Sequence, residues 1–450
     1  MVTFEFKSLG SIKKANLQLA PLTVIAGANN SGKTYLTYAV YSYLKNWAVY
    51  FSYPGLQSLA KKLLSEKSIK IPLDELLEQR PAALATISER FNEQIHNVFG
   101  APESTFESAT VNANVEGEPL DVEKLLLSVS SADTGRISFS IDREFLTFAL
   151  TGEELGLNPR GIFSARRFIN STILNILFKD IFPRPFIITS ERMGVSLFYK
   201  ELDSHRNVLV DQLLKTVKSG TAFDPFEMLE EVVSRYSEPV ADHIAFTRGL
   251  ETAKKGKSFL ERDGKGFSDI EEMMGGTYRV GDSELLFKSK ARKNGYSIPL
   301  YMGSGAVRSL SDLFFYLKYV CQEGDVLLID EPESHLSPGN QILVARMLCR
   351  LVNYGVQVLI TTHSDYIIKE INNLVMLSSV GSERQAQLIN KFGYNPYDVL
   401  SCDKVKAYVT KSGGLEACYV CDRGITVPPF DQAIDQINAA ADEIEYALES

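Results

Sequence analysis

Leu22-Thr23-Val24-Ile25-Ala26, followed at once by Gly27-Ala28-Asn29-Asn30-Ser31-Gly32-Lys33-Thr34, is the stretch whose reading decides the fold. The first five residues are apolar or β-branched, as suits a strand buried on both faces of a parallel sheet. The next eight match G-x-x-x-x-G-K-[ST], and a helical pattern runs on from about Lys33 to about Tyr50. Strand, glycine-rich loop and helix, in that order, separate a phosphate-binding P-loop from a chance turn. Gly27 and Gly32 let the backbone curl so that successive N–H groups face phosphate oxygens. The helix start adds the positive end of its dipole. Ala28, Asn29, Asn30, Ser31 and Tyr35 are expected to line the same cradle. Lys33 is expected to reach the β and γ phosphates, and the Thr34 hydroxyl to ligate Mg2+.

Three further segments add chemistry. Val326-Leu327-Leu328-Ile329 reads as a second buried strand, with Asp330 and Glu331 emerging at its C-terminal end, the end at which parallel sheets bind ligands. Asp330 is expected to hold Mg2+ through water, and Glu331 to polarise an attacking water as general base. A strand ending in Asp-Glu is common. The sequel Pro332-Glu333-Ser334-His335-Leu336-Ser337-Pro338 makes this one specific. The strand Val358-Leu359-Ile360-Thr361-Thr362 ends at His363, which either senses the γ-phosphate or hydrogen-bonds a strand end. Gly303-Ser304-Gly305 heads a helix, either as an anion-binding turn or as a plain cap. Ser190-Glu191-Arg192, after the strand Phe186–Thr189, has a structural and a functional reading, and both stay open.

In this order the motifs resemble the AAA-type, ABC-like bacterial ATPases, relatives of the OLD-family, RecF-like and SMC-like proteins. The resemblance covers about 1–50, 186–195 and 275–380. It implies an α/β, ABC-type P-loop ATPase domain with a mainly parallel sheet, binding ATP and Mg2+. Lys33, Glu331 and His363 are then catalytic, Thr34 and Asp330 the metal ligands, and His363 the switch histidine. Pro332 to Pro338 form a D-loop analogue, a segment that crosses a dimer interface in this family. Ser304 and Gly305 are the signature that touches the γ-phosphate held by another copy, so the chain is a homo-oligomer with composite ATP sites. Two departures stand out: the signature lacks L-S-G-G-Q, and Ser190-Glu191-Arg192 occupies the Q-loop place without a glutamine. Stand-alone members resemble the ATPase subunits of two-gene phage-defence modules such as Septu and PARIS. That implies antiviral defence with a separately encoded effector, a nuclease, as partner. A repair or chromosome-maintenance ATPase that binds DNA directly is the alternative.

The rest of the 450 residues is assigned around these motifs. Residues 1–50 are read as an N-lobe, 51–185 as an inserted α/β region, and 186–196 as a strand with the Q-loop-like segment. A helical arm region follows at 197–273, the C-lobe at 274–385 and a C-terminal extension at 386–450. Leu374–Leu377 is expected to be a strand, and Asp74 to Val98 a helix broken at Pro81. Pro225 and Pro239 forbid a long coiled-coil arm. A formal charge of −9 disfavours coating nucleic acid by charge alone but leaves room for a local basic face. No apolar run approaches ~18 residues and no signal peptide is visible, so a cytoplasmic protein without a membrane span is expected. The five scattered cysteines suit a reducing compartment. Cys418-Tyr419-Val420-Cys421 lacks the second ligand pair that zinc wants, and reads as two same-side positions near a strand.

Overall fold

The computed structural model describes residues 2–115, 131–133, 137–151, 156–178, 181–199, 236–264, 268–281, 284–290 and 297–449. A nine-stranded sheet organises them. Its strands are β1 (Val2–Leu9), β2 (Ile12–Gln18), β3 (Leu22–Ala26), β4 (Thr110–Val115), β5 (Pro185–Ile188), β6 (Val326–Asp330), β7 (Gln357–Thr362), β8 (Val405–Lys411) and β9 (Gly414–Ala417). They stand in the order β4-β1-β2-β9-β8-β3-β7-β6-β5. From β8 to β5 every neighbouring pair is parallel. At the other end β4, β1 and β2 run antiparallel, and the β8–β9 hairpin joins the two halves.

Alternation along the strands explains why this sheet is buried on both faces. In β3, Ile25 enters one core while Leu22, Val24 and Ala26 enter the other. In β6, Val326 and Leu328 face the first core, and Leu327 and Ile329 the second. A period of two sends successive side chains to opposite faces, so a strand covered on both must be apolar throughout. Helix α1 (Lys33–Tyr50) supplies the first core; α6 (Ser311–Tyr319), α7 (Pro338–Asn353) and α8 (Asp365–Ser378) supply the second.

Several expectations are corrected. Leu374–Leu377 is the end of α8, not a strand, because Ile367, Ile368, Ile371, Leu374 and Val375 recur at helical spacing and bury one stripe. Residues 405–417, expected in an extension, form β8 and β9, and β8 lies directly beside the P-loop strand β3. The expected break at Pro81 is present, by contrast: one helix, Leu73–Glu78, ends just before it, and the next, Arg80–Glu93, carries Pro81 in its first turn. Within the 51–185 region, Ser68–Pro72, Phe145–Leu150, Ile137–Ile141 and Ser131–Asp133 form a separate antiparallel sheet, whereas β4 pairs with β1 as an edge of the main one. Of the expected helical arm, residues 200–235, including Pro225, lie outside the described residues. Pro239 stands in the first turn of α4 (Glu238–Arg248).

Candidate nucleotide site

The loop between β3 and α1 owes its path to two glycines. Gly27 has φ +146°, and a Cβ there would lie 2.0 Å from Thr410 Oγ1 of β8. Gly32 has φ +96°, and a Cβ there would meet the Ile12 side chain at 2.6 Å. Ala28, Asn29 and Asn30 are exposed, so the loop opens to solvent. Ser31 Oγ and Thr410 Oγ1 are 2.6 Å apart, which ties the loop to β8. The Tyr35 ring packs on Phe99 and Phe106, with centroids at 5.2 and 6.3 Å.

Lys33 is buried, and its Nζ donates to the carbonyls of Gly27 at 3.0 Å and Ala28 at 2.8 Å. Burial pulls its ammonium below the usual lysine value, against the opposing pull of Glu331, Asp330 and Glu333. Thr34 Oγ1 donates to Asp330 Oδ2 at 2.9 Å, and Thr361 Oγ1 donates to Asp330 Oδ1. Burial raises the Asp330 carboxyl above its ordinary value, with Glu331 and Glu191 adding to the rise. A hydroxyl and a carboxylate side by side are hard oxygen donors of the kind Mg2+ takes. Among the described residues no group of three or more His, Cys, Asp or Glu is arranged as a metal centre of its own.

Glu331 has φ +51°, uncommon for a residue with a side chain, and its N–H donates to Thr361 Oγ1 at 3.0 Å. Its Oε1 lies 2.9 Å from His363 Nε2, and Ser334 Oγ donates to Oε2 at 3.1 Å. Burial alone would raise this carboxyl. The hydrogen bond and charge of His363, with Ser334 and Lys33, outweigh it and hold the group below its usual range. His363 Nδ1 faces the Gly27 carbonyl at 2.9 Å, so one ring spans the P-loop and the end of β6. The histidine is set by Glu333, whose Oε1 accepts from the His363 N–H at 2.5 Å and from Thr362 Oγ1 at 2.9 Å. Lys33, Thr34, Asp330, Glu331 and His363, far apart in sequence, are thus brought together. Ser304 and Gly305 are not among them. Ser304 caps α5 (Gly305–Ser309) by accepting from the Val307 N–H, and Gly305 packs near His335.

Glu191 and Arg192 stand at the start of α3 (Arg192–Phe198). Tyr38 Oη donates to Glu191 Oε2 at 2.8 Å. The Arg192 guanidinium is fully buried; Nη1 donates to Asp330 O at 2.8 Å and Thr189 O at 3.2 Å, Nη2 to Glu331 O, and Nε to Ser309 Oγ at 2.8 Å. Ser309 Oγ in turn donates to Ser334 O at 2.9 Å. Behind this lies a buried brace. The Thr189 N–H donates to His243 Nδ1 at 3.3 Å, so Nε2 carries the proton toward Asp312 Oδ2 at 3.0 Å. Sequence reading missed Thr361, Glu333, Thr410 and this brace. Thr361 stood inside a quoted motif; Thr410 and His243 had no local signal. The five cysteines are free; Cys421 ends the short strand Val420–Cys421, and Cys418 lies two residues before that strand.

Sheet order, P-loop, strand-end acids and histidine together define an α/β P-loop ATPase fold of the ABC type. Residues 226–369 match the family model described as "AAA domain, putative AbiEii toxin, Type IV TA system". No curated protein matches the chain. Among solved structures, the SMC head domain from Thermotoga maritima is 12% identical, with 93% of this chain and 98% of that one covered and a TM-score of 0.31. An SMC head bound to the C-terminal winged-helix domain of ScpA is 14% identical, covering 92% and 95%, with a TM-score of 0.32. An SMC head with an extended coiled coil, bound to the C-terminal domain of ScpA from Pyrococcus furiosus, is 12% identical, covering 98% and 100%, with a TM-score of 0.32. The assignment of the fold rests on the strand order and the motifs. Among the described residues no helix is long and apolar enough to cross a membrane.

Proposed function

We propose that this chain binds and hydrolyses ATP as a dimerisation switch, and that the switch scaffolds or controls a separately encoded effector, a nuclease, in bacterial anti-phage defence. The observation that carries the ATPase is the convergence of Lys33, the Thr34–Asp330 pair and the Glu331–His363 pair at one end of the parallel strands. Lys33 and the loop N–H groups would bind the phosphates. Thr34 and Asp330 would hold Mg2+, which neutralises phosphate charge. Glu331, kept ionised by His363 and Ser334, would accept a proton from the attacking water. His363 would sense the γ-phosphate from between the P-loop and Glu331. Ser304 and Gly305 would complete the site of a second copy.

The effector rests on the family resemblance. The description of the model matching residues 226–369 names a toxin within a system, which supports a role in partnership. The test is a phage challenge of cells carrying this gene alone, its neighbour alone, or both. Protection that needs both genes and an intact Lys33 is the expected result. Protection by this chain alone, or tight and salt-resistant DNA binding with no co-purifying protein, would favour the DNA-binding maintenance ATPase instead.

A further inference from the structure

Helix α9 (Pro428–Glu449) carries Phe430, Ile434, Ile437, Ala441, Ile444 and Leu448 at successive spacings of four, three, four, three and four. That is an unbroken a/d heptad seam. Residues 435–448 are all exposed; Ile437 is 69% accessible, Ile444 62% and Leu448 83%. None of these three belongs to either core. Helices in proteins take most of their stability from packing an apolar face. Ile437, Ile444 and Leu448 pack on no described core residue, yet the pattern of the seam is as regular as that of α8.

The two flanks of the seam differ. On the e/b side stand Asp431, Asp435, Asp442, Glu445 and Glu449; on the g side stand Ala433, Ala440 and Ala447. With Glu443 the helix has six carboxylates and no lysine, arginine or histidine. A second copy would bring six more negative charges and no cation to match them. An anionic membrane surface is repelled for the same reason. A cation-bearing helix meets both flanks: its charges face the acidic row, and the alanines let its backbone approach closely. We propose that α9 is the docking strip for an amphipathic helix of a separate protein, with a Leu- or Ile-rich seam edged by lysine or arginine. The strip uses no residue of the nucleotide site and does not depend on the ATPase reading.

The probe is a fluorescent three-heptad peptide with Ile and Leu at a and d and Lys at e and g. A twin peptide has Glu for each Lys. Both are titrated against the full chain by anisotropy. The Lys peptide is expected to bind at least about tenfold more tightly than the twin, and less tightly as salt rises. Ile437→Asp with Ile444→Asp should weaken it by at least about tenfold. Asp442→Lys with Glu445→Lys, which spares the seam, should cut the preference for the Lys peptide by at least about tenfold, and it remains informative if the first pair unravels the helix. Absent or equal binding of the two peptides by the wild type overturns the proposal. So does sedimentation as an oligomer that Ile437→Asp dissolves, which would make a second copy the occupant.

Discussion

Arg192 holds the carbonyls of both Asp330 and Glu331 with one guanidinium, at a point where Glu331 sits at positive φ. A backbone in that region costs free energy unless its surroundings fix it, and such fixation aims a side chain. The same guanidinium reaches Ser309 of α5, so the end of β6 and α5 share one anchor. Lysine keeps the charge but lacks the planar fork. Arg192→Lys is therefore expected to lower the turnover of ATP by about a hundredfold while nucleotide affinity shifts by less than about threefold. Steady-state rates and a nucleotide titration separate the two; a rise in KM at unchanged kcat would show that Arg192 serves binding and not the aim of Glu331. Glu331→Gln should keep ATP binding and lose hydrolysis by several orders of magnitude, whereas Lys33→Ala should weaken binding itself. Wild-type hydrolysis by Glu331→Gln would remove Glu331 from the role of base.

Strand β8 shows how one element supports chemistry it does not perform. Thr410 Oγ1 is close to Ser31 Oγ at 2.6 Å and donates to Ala26 O at 3.4 Å, bracing the P-loop from the side. Thr410→Val keeps shape and removes the hydroxyl, a loss worth about 1 kcal/mol, so ATP affinity should fall by a few-fold. Isothermal titration of the two proteins would read this directly, and equal affinities would make β8 a plain structural neighbour. Nothing in the sequence announced β8. Its residues 405–411 alternate Val, Lys, Ala, Tyr, Val, Thr, Lys, and they lie beyond the last motif. Strands β3, β6 and β7, by contrast, were legible because burial on both faces leaves continuous apolar runs. The edge strand β4, Thr-Val-Asn-Ala-Asn-Val, drew no assignment of its own: its asparagines disfavour strands, and its pairing with β1 makes it one. The last four apolar residues of α8 mislead in the same way when they are separated from Ile367, Ile368 and Ile371. In the site, Lys33, Thr34, Asp330, Glu331 and His363 were legible because each ends a recognisable segment. The reach of Arg192 to residues 117 to 139 positions away is set by packing, which no local pattern encodes.

On the scale of the whole molecule, the separation of Ser304 and Gly305 from the P-loop bears on the proposed composite site. Among the described residues no hydrogen bond or ion pair joins Ser304 or Gly305 to the loop at 27–34. Beside them Tyr301 is 54% and Met302 60% exposed, so the turn opens onto the surface. Large exposed apolar side chains next to a small-residue turn suit a contact made by another copy. A head-to-tail pair with two-fold symmetry would place each signature over the other's phosphates and form two sites at once. In that arrangement Lys33→Ala and Ser304→Arg are each inactive alone, since both sites of each homodimer carry one defect. Mixed, they form heterodimers in which one site has both defects and the other has none. With random exchange, equal mixing should restore about a quarter of the wild-type ATPase rate per chain. If Ser304 served its own P-loop, both defects would act within single chains and mixing would restore nothing. A rate per chain that does not change with protein concentration, together with no recovery on mixing, would sink the composite site.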